Sequence, residues 1–150
     1  MMQSRRIDPL LRRAQEHEDS VARDLAERQR TLALHESRLE ELRKYAEEYA
    51  NSQMAAASPA QLANRRAFLD RIDQALQQQL QTVDRSRASV DIERDRLLLA
   101  SRDKQVLEQL AASYRVQERQ IVERRDQREM DDLGARRARQ AATAAEHGDA

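Results

Sequence analysis

Apolar residues return every three or four positions along most of this chain, the period of a helix with one buried face. In the first third the series runs Leu11, Ala14, Glu18, Val21, Leu25, Arg28, Leu32, His35, Leu39, Leu42, Ala46 and Tyr49. The exceptions in an otherwise apolar series are Glu18, Arg28 and His35. Asp8-Pro9 offers an N-cap followed by a proline at the first helical position, so a helix over residues 9–50 is predicted, about 60 Å long. Residues 1–8 read as a flexible N-terminus. After Tyr49 the apolar face stops, and a small, polar stretch beginning at Asn51 predicts a turn over 51–58. Ser58-Pro59-Ala60-Gln61 restarts the helix, with a capping hydroxyl, a proline at the first position and a glutamine three residues after the cap.

The second helix carries Leu62, Leu69, Leu76, Val83, Val90 and Leu97 at intervals of seven, a coiled-coil spine. Its companion positions are weaker: Ile72, Gln79, Ser86 and Glu93. A short connection favours antiparallel neighbours, so Leu62, Phe68, Leu69 and Ile72 are expected to fold onto the 39–49 face. Folding the turn symmetrically places Leu42 by Leu69, His35 by Leu76, Arg28 by Val83, Val21 by Val90 and Ala14 by Leu97. The seam is then best near the turn and poorest in the middle. Past Leu97 the spine is read as changing edge, through Leu107, Leu110, Tyr114 and Ile121. By then the first arm has run out, and residues 102–133 are expected to project by about 45 Å. Gly134 marks the expected helix end, with residues 134–150 a disordered tail. The predicted fold is all-α: a long antiparallel two-helix coiled coil, a helical hairpin whose second helix (59–133) is the longer.

Composition agrees with a rod and argues against a globular core. Of 150 residues 36% are charged and only 3% aromatic, and the mean hydropathy is −0.95; a compact domain of this size needs more large apolar surface to offset chain entropy. The absence of cysteine excludes a disulfide framework and a thiolate zinc site and suits a reducing cytoplasm. No signal peptide or membrane span is expected, since MMQSRRIDPLL and the rest of the chain lack a continuous apolar run. His17, His35 and His147 are too scattered for helical metal ligation, and His35 falls on the seam as a structural residue. Asp131 and Asp132 are neighbours that point to different parts of a helix surface. No glycine-rich phosphate loop or nucleophile motif is present, so neither catalysis nor a metal or cofactor is expected. Net charge is zero and aromatics are scarce, which disfavours nucleic acid. Arginines nonetheless crowd the two ends, Arg5, Arg6, Arg12 and Arg13 at the start and Arg136, Arg137 and Arg139 at the finish. Such clusters are either solvated faces or docking surfaces for an acidic partner.

Two segments carry a family resemblance. Leu39, Leu42, Tyr45 and Tyr49, then a short turn, then Asn64, Phe68-Leu69 and Ala75 resemble the FliJ family of flagellar type III export proteins. The block Glu123-Arg124-Arg125-Asp126-Gln127-Arg128-Glu129-Met130-Asp131-Asp132 is similar to that family's E-R-x-E-Q-K-x-x-D-E. It departs by Asp126, Arg128 and Asp132, each preserving charge. The resemblance covers roughly residues 8–135. It implies a non-enzymatic protein of bacterial flagellum biogenesis, protein export and chemotaxis, monomeric when alone. Such a protein is a stalk whose free ends enter the hexameric export ATPase FliI and promote its assembly and activity. It implies contact of the turn region with the export gate protein FlhA, and a role with flagellar export chaperones. The implied location is the cytoplasm, peripheral at the inner face of the cell membrane at the flagellar base.

Carried over by position, the gate-contact candidates are Leu42, Tyr45, Tyr49, Phe68, Ile72, Ala75 and Gln79. Leu42 and Tyr49 lie on the predicted seam, where packing is an equal alternative. Tyr45 lies off it and is the better contact, because a tyrosine ring supplies area at little entropy cost; Phe68 neighbours the seam and suits either role. ATPase-contact candidates are Arg12, Arg13, Arg124, Arg125, Gln127 and Arg128. The alternative for the last four is pairing within the helix, with Glu129 and Asp132. Two other readings stay open: a homodimeric coiled-coil scaffold, and the equivalent stalk of a virulence type III secretion system.

Overall fold

A computed structural model describes residues 2–52 and 58–148. It consists of two helices, α1 (Met2–Asn51) and α2 (Pro59–Gly148), in an antiparallel hairpin whose second helix is the longer. Residues 53–57 of the predicted turn lie outside the described residues. The chain divides into two compact units, Ala14–Asp103 around the turn, and Met1–Arg13 with Lys104–Ala150.

In the turn unit, Val21 and Leu39 of α1 and Ile72, Val83, Val90 and Ala100 of α2 are buried. Leu25, Leu32, His35, Leu42, Ala46 and Tyr49 complete the α1 side half-buried, whereas Arg28 turns to solvent. The capping box forms as its residues predict: the Ser58 N–H donates to Gln61 Oε1 at 3.0 Å and the Gln61 N–H to Ser58 Oγ at 3.2 Å. These bonds satisfy donors that the first helical turn leaves without partners.

The register differs from symmetric folding. Gln79, not Leu76, stands by His35, donating its amide to the His35 carbonyl at 3.0 Å. Phe68 packs on Tyr45 and Tyr49. Leu62, expected in the seam, is 52% exposed, while Ile72 is only 6% exposed. The cause is the unequal approach to the turn: α1 ends at Asn51, so the first turns of α2 have no opposing helix to cover them.

In the terminal unit, α1 begins at Met2 with Pro9 inside it, where the sequence predicts a start at Pro9. Proline's missing N–H forfeits one intrahelical bond, but residues before it are tied to α2. Ile7 is buried, the Ser4 N–H and hydroxyl donate to the Glu118 carboxylate at 3.1 and 2.8 Å, and Arg115 pairs with Asp8 at 3.5 Å. The α2 side of this seam is Lys104, Leu107, Ala111, Tyr114 and Glu118, all buried or half-buried. The seven-residue series therefore keeps its edge past Leu97; Leu110 and Ile121, read as its continuation, are exposed.

Two boundaries move in consequence. The bare part of α2 begins after Glu118, since every described residue from 119 to 148 is exposed; the sequence expectation put it at 102. The helix also continues through Gly134 to Gly148, where an end and a disordered tail were expected. Gly134 has no positive φ and a Cβ there would touch nothing, so no turn uses its freedom. The alanines that follow favour helix.

Candidate functional site

At the turn, three of the chain's four aromatic residues gather into one cluster. The Phe68 ring lies 4.5 Å from Tyr49 at 51° and 6.2 Å from Tyr45 in an edge-on arrangement, geometries that suit aromatic quadrupoles. Phe68 and Tyr49 are half-buried and Tyr45 is 51% exposed, so Tyr45 presents the outer edge of the cluster. Leu42, Tyr45 and Gln79 join Arg38 and Glu41 around a shallow hollow of about 460 Å³. The remaining gate candidates are less accessible: Ala75 is half-buried and Ile72 buried in the seam.

Sequence reasoning missed Arg65. Its Nη2 donates to the Ala50 carbonyl at 2.7 Å and more weakly to that of Tyr49 at 3.4 Å. The Tyr49 carbonyl also accepts from the Ser52 hydroxyl at 2.7 Å and the Ser52 N–H at 3.3 Å. A guanidinium from α2 thus closes the C-terminus of α1, where orphan carbonyls and the negative end of the helix dipole favour a cation. The only signal available was an arginine early in α2, three residues before Phe68.

The second cluster lies in the terminal unit. Arg124, Arg125, Gln127 and Arg128 stand exposed on bare α2, beyond the last bonds to α1. Arg125 pairs with Glu129 at 3.6 Å and Gln127 donates to Asp131 at 3.2 Å. Arg12 and Arg13 are also exposed. Because Asp8 meets Arg115 and Ser4 meets Glu118 in antiparallel order, Arg12 and Arg13 fall on the turnward side of those pairs. The structure does not bring them together with the 124–128 group.

Midway along the turn unit the seam is polar. Glu93 is buried, and both its carboxylate oxygens accept from Arg96 Nη1 at 3.0 Å. His35 Nδ1 is buried without a hydrogen-bond partner among the described residues. No group of three His, Asp or Glu side chains that might hold a metal occurs among the described residues. No described helix is long and apolar enough to cross a membrane. The arrangement offers binding surface of two kinds, aromatic beside the turn and charged on bare α2.

The family model described as flagellar FliJ protein matches residues 2–143. No match was found among curated proteins or among solved structures.

Proposed function

Since the chain belongs to the FliJ family of flagellar proteins, we propose that it is a non-enzymatic stalk that binds the hexameric export ATPase FliI and couples it to the gate protein FlhA. Family membership makes it a component of flagellar type III protein export; the stalk role is the finer reading. The observation that carries it is bare α2: residues 119–148 stay helical with every side chain exposed. A helix segment with no packed face lacks the tertiary contacts from which most helical stability comes, and a surrounding partner would supply them. Arg124, Arg125, Gln127 and Arg128 are the ATPase contacts in this reading. Tyr45, with Leu42, Tyr49, Phe68 and Gln79 around it, meets the gate, while Ile72 and Ala75 support that face from beneath. Escort of export chaperones and a position at the inner face of the membrane complete the proposal.

The test is ATP hydrolysis and ring assembly by the purified cognate export ATPase, with and without the full chain. Stimulation of both is expected. An active ATPase that neither binds the chain nor responds to it would sink the stalk mechanism.

A further inference from the structure

Bare α2 carries its charges in a pattern that hydrophobic periodicity does not reveal. At about 100° of rotation per residue, Arg124, Arg125 and Arg128 fall within about 100° of one another, and Glu123, Asp126 and Glu129 fall within about 120° on the opposite side. Farther along, the signs exchange: Asp131 and Asp132 follow on the arginine side and Arg137 on the carboxylate side, with Arg136 at the border between the two. Each face is therefore banded in charge, and the two faces are out of phase.

Pairing within the helix does not account for the pattern. Between 119 and 148 the one ion pair among the described residues is Arg125 with Glu129, at 3.6 Å where the two faces meet. Arg128 and Asp132 have the i, i+4 spacing but form no ion pair, and Glu123 and Asp126 have none either. All these side chains are exposed.

We propose that residues 123–137 are a two-sided docking segment. Its occupant is a protein that encloses the helix, presenting acidic groups to Arg124 and Arg128 and basic groups to Glu123 and Asp126. A polyanion, or an acidic surface approached from one side, would use the arginines and leave the opposed carboxylates without partners. An enclosing wall of both signs uses all of them, and the out-of-phase bands then fix rotation and depth together, because turning or sliding the helix brings like charges face to face. This rests on the stalk reading above and adds that the partner grips two opposed faces.

Labelled full-length chain titrated with the purified export ATPase and followed by fluorescence anisotropy tests it. Two double variants are compared with wild type, Arg124→Glu with Arg128→Glu, and Glu123→Lys with Asp126→Lys. Circular dichroism checks that helix content is kept, as exposed and unpaired positions predict. Each variant is expected to weaken binding by about tenfold or more, and added salt to weaken wild type. If the arginine variant alone loses affinity, the contact is one-sided and the inference falls while the stalk reading stands. The same holds if neither variant changes a wild-type complex. If wild type itself does not bind an active ATPase, the stalk reading falls and takes this one with it.

Discussion

Arg65 shows how one residue outside any repeat can set the geometry of a site. Its guanidinium reaches the carbonyls of Ala50 and Tyr49, joining α2 to the end of α1 next to the aromatic cluster. A hydrogen bond from a charged donor, helped by the helix dipole, contributes about 1 kcal/mol at a half-exposed position. Arg65→Ala is therefore expected to lower the unfolding free energy by about 1 kcal/mol in urea titrations. Arg66→Ala, exposed and without an ion pair among the described residues, should stay within about 0.5 kcal/mol of wild type. Equal stability of the two variants would show that the cap adds nothing. Tyr45 was legible as a contact candidate because it breaks the three-four series near a predicted turn. Arg65 was not, because its role depends on which carbonyls the second helix brings within reach.

At the scale of elements, both helices and their order could be read from apolar spacing, and the start of α2 from Ser58, Pro59 and Gln61. The boundaries that failed were those where local punctuation met tertiary support. Pro9 and Gly134 are sound stop signals in isolation, yet Ile7 and Ser4 hold the residues before Pro9, and alanines carry α2 beyond Gly134. The seam past Leu97 was misread for a different reason. Ala100 and Ala111 are almost fully buried, and small residues let helices approach closely without registering as a hydrophobic stripe. Glu93 is the charged member of the companion series Ile72, Gln79, Ser86, Glu93 and Ala100. Its side chain is 9% exposed and that of Arg96 is 49% exposed, so the pair sets the desolvation of a carboxylate against a partly screened attraction. Removing the carboxylate leaves Arg96 free to reach water, and no buried charge is stranded. Glu93→Leu is accordingly expected to raise the thermal midpoint, with a gain of about 1 kcal/mol. A lowered midpoint would mean that the polar pair contributes net stability.

For the whole molecule, stability and proposed function draw on different residues, and this separation can be measured. The packed residues end at Glu118, and the 30 positions from 119 to 148 bury nothing. Ending the chain after Glu118 removes the proposed ATPase contacts while keeping both seams, the Ser4 and Asp8 bonds to α2, and the aromatic cluster. The truncated chain is expected to unfold within about 0.5 kcal/mol of wild type, since surface losses away from packed groups have small effects. Its helical circular dichroism should fall by the bare segment's share. It should also lose stimulation of the export ATPase while still binding the purified gate protein through Tyr45 and its neighbours. Loss of both activities with a preserved melt would place gate binding under the control of the bare helix. Retained stimulation would move the ATPase contact back onto the packed part of the chain, where Arg12 and Arg13 are the exposed candidates.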